Sequence, residues 1–180
     1  MADAWLGISS ANYDSDCGST AAHTLSEALD GTDYWGHYTT EAHWFIIDLG
    51  AVYTLKSFRS RSLLTADPTD VDIFISTDKA TWGAAVASGI TTWQDSDAWV
   101  EIDSTDKDGR YIKVVVNDTE SVNDWIAWGA STPFTILDAY GDVAGAPAGW
   151  ANNLSGVANA AIGKVNGVAI ASILKVNGVA

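Results

Sequence analysis

One cysteine, Cys17, stands in 180 residues, so the chain can close no disulfide on itself and offers no cysteine cluster to zinc. Basic residues are scarce as well, with Lys and Arg numbering 9 against 23 Asp and Glu for a formal net charge of -14. A surface of that sign repels phosphate at long range, which sets aside nucleic acid and anionic membrane as primary partners. No apolar run approaches the ~20 residues of a bilayer-crossing helix. The start, Met1-Ala2-Asp3-Ala4-Trp5, has neither the basic segment nor the apolar core of a secretory signal. Catalytic signatures are also missing: there is no Gly-x-Ser-x-Gly elbow, no phosphate-cradling glycine loop and no His-Glu-x-x-His. Cys17 with a histidine would imitate a nucleophile and base, but Asp14 and Asp16 beside it oppose the thiolate. Asp67 and Asp70 read as solvated turn carboxylates. The expectation is a protein that is not an enzyme, acting outside the cell or on a virion.

What the chain has in abundance is tryptophan, nine in all. A core seldom needs so many, because each buried indole must also find a partner for its N–H. Some of them are expected to face a ligand. Hydrophobic residues make up 47% of the chain, enough for one substantial core.

Charge divides the chain. Residues 1–140 carry a net of -15, whereas 141–180 hold only Asp142, Lys164 and Lys175 as charged groups. The Gly- and Ala-rich stretch with Pro147 reads as a linker. The domains expected are therefore 1–141, a linker over 142–150, and a tail over 151–180. In the first, Trp44–Leu49, Val71–Ser76, Trp99–Ile102, Tyr111–Val116 and Phe134–Leu137 are short β-branched or aromatic runs with turn residues between them. Such spacing predicts an all-β sandwich or barrel. Only Thr24–Leu29 hints at a helical turn.

The tail repeats itself. Gly156-Val157-Ala158, Gly167-Val168-Ala169 and Gly178-Val179-Ala180 recur every eleven residues, the last two within Lys-Val-Asn-Gly-Val-Ala. Asn-Gly between β-branched residues argues for strands and tight turns. So short a repeat cannot bury its own apolar faces. Copies from several chains are expected to pack together into a closed homo-oligomer, with a homotrimer favoured.

Five blocks of the first domain stand in a recognisable order: Ala28-Leu29-Asp30-Gly31, then Trp44-Phe45-Ile46-Ile47-Asp48-Leu49-Gly50, then Asp72-Ile73-Phe74-Ile75-Ser76-Thr77-Asp78 with Trp82, then Gly109-Arg110-Tyr111-Ile112-Lys113-Val114, then Ile136-Leu137-Asp138-Ala139-Tyr140-Gly141. Together they resemble the coagulation-factor type C, or discoidin, superfamily, which includes the family 32 carbohydrate-binding modules. The tail is similar, more loosely, to repeats of phage tail-associated proteins. The resemblance implies an antiparallel jelly-roll β-sandwich of the galactose-binding type, whose loops at one end bind ligand. It also implies a structural Ca²⁺ in the early loop, with Asp30 and Asp33 as ligands and Asp138 as the acid from the closing strand; carboxylate oxygens suit that hard ion. By the same resemblance His37, Arg61, Asn117 and Trp125 fall where galactose-binding members carry their sugar contacts, and Trp128 is a second candidate platform. Arginine forks suit vicinal hydroxyls, and an asparagine amide both donates and accepts. Trp44, Trp82 and Trp99 read as core, while Tyr34, Trp35, Tyr38 and Trp93 stay undecided between loop rim and core.

Two functional readings follow. One is a non-catalytic carbohydrate-binding module that takes a glycan or polysaccharide and is multimerised by its tail. The other is a structural or decoration protein of a virus or phage particle, with the sandwich as spacer. Membrane binding through apolar loop spikes is disfavoured by the shortage of bases beside them.

Overall fold

A computed structural model describes residues 3–8, 12–16, 23–37, 42–123, 125–129 and 135–144, with a strand pair at 164–165 and 168–169. The strands are β1 (Ala4–Trp5), β2 (Asn12–Ser15), β3 (Trp35–His37), β4 (His43–Ser62), β5 (Pro68–Ser76), β6 (Ala87–Ile90), β7 (Ser96–Thr119), β8 (Ile126–Trp128) and β9 (Leu137–Val143). One helix, α1 (Leu25–Asp30), lies between β2 and β3. Thr24 caps it: the Thr24 side chain accepts from Glu27 N–H while the Glu27 carboxylate accepts from Thr24 N–H at 2.8 Å. That reciprocal pair satisfies two donors that the first helical turn leaves open.

Every described strand pairing is antiparallel, and the main sheet runs β1-β9-β4-β7-β5-β6 with β2 also on β4. Long β4 and β7 pair along nearly their whole length, but the register breaks between Asp48 and Tyr53. Before the break β4 also holds β2; after it, β4 holds β9 instead. Gly50 sits in this corner at φ +76°, in the left-handed region a side chain disfavours, and its N–H donates to Asp48 Oδ1 at 2.8 Å. The bend folds one continuous ladder into the two layers of a sandwich. Side chains of both halves meet in a single core: Phe45, Ile47, Ile73 and Ile112 from one, Leu55, Phe58, Leu137 and Ala139 from the other. This is the all-β sandwich that the spacing of apolar runs predicts, with the antiparallel pairing that the resemblance implies.

The closing strand begins at Leu137, three residues after the start of its predicted run. It continues to Val143, and Ala144 N–H donates to Val52 O at 2.9 Å, so the sandwich extends past residue 141. In the tail, β10 (Lys164–Val165) pairs antiparallel with β11 (Val168–Ala169). The rest of the tail, the linker residues 145–150, Cys17, Tyr38 and Phe134 lie outside the described residues.

Candidate functional site

At one end of the sandwich β4 ends at Ser62, β5 begins at Pro68 and β7 ends at Thr119. The loops there are gathered by Asp67. Its Oδ1 accepts from Ser62 Oγ at 2.5 Å and Leu64 N–H at 2.9 Å, and its Oδ2 accepts from Asp95 N–H at 3.0 Å. Its backbone carbonyl accepts from Glu120 N–H at 3.0 Å. Asp67 is 0% exposed, and burial pushes its carboxyl up to about 6 against the opposing pull of those hydrogen bonds. The expectation of a solvated turn carboxylate is therefore corrected: Asp67 is the buried brace of the loop end. Sequence offers little signal for this, since a hydrogen-bonded Asp before Pro looks like any turn.

The braced loops carry Trp125. Thr119 Oγ1 donates to Trp125 O at 3.2 Å, and Ala127 N–H donates to Ala66 O at 3.0 Å. Period-two alternation in β8 turns Ile126 and Trp128 inward and leaves Trp125 and Ala127 on the other side. Trp125 is accordingly 37% exposed and Trp128 0%. Trp128 lies among Trp35, Phe45 and Trp93, and its Nε1–H donates to Ser60 Oγ at 3.1 Å. Its place as a ligand platform is corrected to core, for that geometric reason.

Of the other candidates, His37 on β3 is paired in register with Ile126, the residue after Trp125. Its Nδ1 lies 3.0 Å from Nδ1 of His43, the first residue of β4. Asn117 is exposed, one residue beyond Val116, which pairs with His43. Asn117 Nδ2 donates to Asp72 Oδ2 at 3.1 Å. The register thus brings His37, Asn117 and Trp125 to one end. Arg61, one residue before Ser62, turns onto the outer face of β4: Nε–H donates to Thr135 O at 3.0 Å and the guanidinium lies 4.3 Å over the Trp99 ring.

The three acids expected to hold Ca²⁺ do not converge. Asp33 bonds His23 Nδ1 at 2.8 Å and Tyr34 N–H at 2.8 Å. Asp30 accepts from Thr32 N–H and Thr32 Oγ1. It borders an open cleft with Asp138, Arg59 and Trp99. In that cleft Arg59 already supplies the cation, donating to Asp138 Oδ2 at 2.8 Å, while Oδ1 accepts from the N–H groups of Gly7, Ile8 and Ala139. These residues do not fit a calcium centre.

Three tryptophans read as core lie instead on the outer faces, half-buried under cations. Lys113 Nζ lies 5.5 Å from the Trp44 ring and 5.9 Å from that of Trp82. Arg59 lies between Trp5 and Trp99, 3.9 and 4.5 Å from their rings. Trp5, Arg59, Trp99 and Arg61 thus form one alternating stack. The alternation of Arg59 and Arg61 with buried Phe58 and Ser60 is the sequence signal that was available for it. Trp35 and Trp93, left undecided by sequence, are both core.

The family model of the F5/8 type C domain matches residues 9–130. The chain belongs to the F5/8 type C domain family. Among solved structures, the family 32 carbohydrate-binding module of C. perfringens NanJ, in complex with galactose, aligns with a TM-score of 0.60 at 15% identity, covering 77% of this chain and 99% of that one. A chitosan-binding module from a Paenibacillus sp. IK-5 chitosanase/glucanase aligns at 0.58 and 17% identity, covering 75% and 98%. Truncated AlyQ, which has a family 32 module and an alginate lyase domain, aligns at 0.59 and 18% identity; the alignment covers 81% of this chain and only 35% of that one. No curated protein matches the sequence. At these identities the likeness establishes the fold.

Proposed function

We propose that this F5/8 type C domain is a non-catalytic carbohydrate-binding module whose loop end takes a glycan against Trp125. The observation that carries this reading is the exposure of one indole on loops braced by a buried carboxylate, at the same end as Asn117. A flat aromatic face suits the apolar side of a sugar ring, and an amide fits its hydroxyl edge. Support comes from the fold relatives, among which are complexes with galactose, with GalNAc-β-1,3-galactose and with 4,5-unsaturated mannuronic acid. The tail serves as the multimerising segment. An open sugar site buries little area, so several copies on one assembly raise avidity through effective concentration.

The test is a glycan array with the wild-type chain and the Trp125→Ala and Asn117→Ala variants, followed by calorimetry on any hit. Binding that Trp125→Ala abolishes and Asn117→Ala weakens supports the reading. A silent array from a folded chain overturns it and favours a structural role for the sandwich. Light scattering on the chain with and without residues 151–180 tests the tail: an unchanged mass per particle sinks the oligomer.

A further inference from the structure

We infer that Asp16, His37 and His43 form a binding site for one divalent transition ion of the Zn²⁺ class. One ligand atom from each of these three side chains lies within 4.8 Å of the other two. The three come from separate stretches of chain: Asp16 follows β2, His37 ends β3 and His43 begins β4. The two Nδ1 atoms are 3.0 Å apart, and His43 Nδ1 lies 3.8 Å from Asp16 Oδ2. A tetrahedral ion with bonds of about 2.0–2.2 Å holds its ligand atoms about 3.3–3.6 Å apart. These two separations straddle that range and the third is within 4.8 Å, so modest side-chain adjustment brings the three donors onto one ion.

The surroundings restrain two of these donors. Asp16 is tied to β4 twice, its N–H donating to Trp44 O at 3.2 Å and its Oδ2 accepting from Trp44 N–H at 3.0 Å. The His43 ring is 1% exposed and meets the edge of Trp35 at 82°. Two imidazoles and one carboxylate are a borderline donor set, which selects zinc-like ions over the hard Ca²⁺ and Mg²⁺. Three protein ligands leave a fourth position to water, the pattern of an open site. The ion would join β3 to the start of β4, and β3 is paired with the strand that follows Trp125. A second group of acids, Asp67, Asp95 and Glu120, also converges, but it is made of carboxylates alone and offers no imidazole to a zinc-like ion.

The experiment uses the full chain, stripped of metal by chelating resin, and titrates it with Zn²⁺ by calorimetry in excess Mg²⁺. Visible absorption of bound Co²⁺ reports coordination number. One ion per chain is expected, with affinity lower by about tenfold or more in His37→Gln and Asp16→Asn and unchanged in His23→Gln, the remaining histidine. Histidine side-chain ¹⁵N spectra of the wild type provide a readout that needs no variant: two of the three imidazoles shift on adding Zn²⁺. Absence of saturable binding overturns the assignment, as does displacement by Mg²⁺. So does binding that His23→Gln weakens as much as His37→Gln, or a spectrum in which none or all three imidazoles respond.

Discussion

Arg110 donates to both carboxylate oxygens of Asp48, Nε–H to Oδ1 at 2.6 Å and an Nη2 hydrogen to Oδ2 at 2.8 Å, across 62 residues of sequence. The pair lies where β4 and β7 turn the corner between layers, since Asp48 is the last residue in register before the break. The Arg110 guanidinium holds the Asp48 carboxyl below its usual range. Arg110→Lys keeps the charge and loses the planar fork. Thermal melts are expected to show a lower midpoint for this variant, with the difference shrinking as salt is raised. Because the folded carboxyl titrates lower than the unfolded one, the contribution is present above about pH 4 and is lost as pH falls below it.

Next to that arginine, Gly109 has no room for a side chain. A Cβ there would lie 2.0 Å from Ile75 Cγ2 and 3.1 Å from Ser76 O. Gly109→Ala should cost about 3 kcal/mol by overpacking. Adding Ile75→Ala removes the obstructing methyl, so urea denaturation should find the double variant no less stable than Ile75→Ala alone. Strict additivity would show that the clash is not the cause.

Asp67 sets a pH dependence. Its folded carboxyl titrates near 6 and its unfolded one near 3.8, so between those values the folded protein keeps a proton that the unfolded chain releases. Stability contributed at this site falls as pH rises through that window, by up to about 3 kcal/mol. The stability of wild type relative to Asp67→Asn should shrink by that order between pH 4 and pH 7 in urea titrations. Asp78 works in the opposite direction. Backbone N–H groups of Thr81 and Ala80 hold it down to about 2, so its contribution is lost as pH falls from the unfolded value toward that one.

The two tryptophans of the β8 segment should separate cleanly. Trp128→Ala empties a fully enclosed site and is expected to cost about 3–5 kcal/mol. Trp125→Ala removes a ring that is 37% exposed and should cost about 1 kcal/mol. Chemical denaturation of both variants checks this, and a large loss in Trp125→Ala would mean that the indole is structural.

Arg59 is expected to do the work of a cation at Asp138. The Asp138 side chain is only 5% exposed, so Arg59→Ala strands a buried carboxylate and should cost about 3 kcal/mol. Adding Ca²⁺ to the metal-stripped wild type should leave its melting midpoint in place. A clear rise with Ca²⁺ would show that the cleft admits the ion beside the arginine.

Much of the sandwich was legible from residue order, because β pattern is local. Trp44–Leu49, Val71–Ser76 and Tyr111–Val116 carry their strand character in their own β-branched and aromatic side chains. The hint of a helical turn over Thr24–Leu29 matches α1 (Leu25–Asp30). The resemblance of five blocks in order reached the family that the match over 9–130 establishes. The candidate site was less legible. Trp125 and Trp128 differ by three positions in a short apolar stretch, and only the alternation of β8 against the core separates exposed ring from buried ring.

The sequence by itself determined the all-β class and the family, since strand periodicity and ordered blocks are properties of the chain read in line. Tertiary structure alone decided which groups meet. Arg59 with Asp138, Asp67 with Asp95, and His37 with His43 are joined by strand register and by the corner at Asp48. Burial and charge pairing are sums over neighbours from distant segments, and those neighbours exist only once the ladder has folded over.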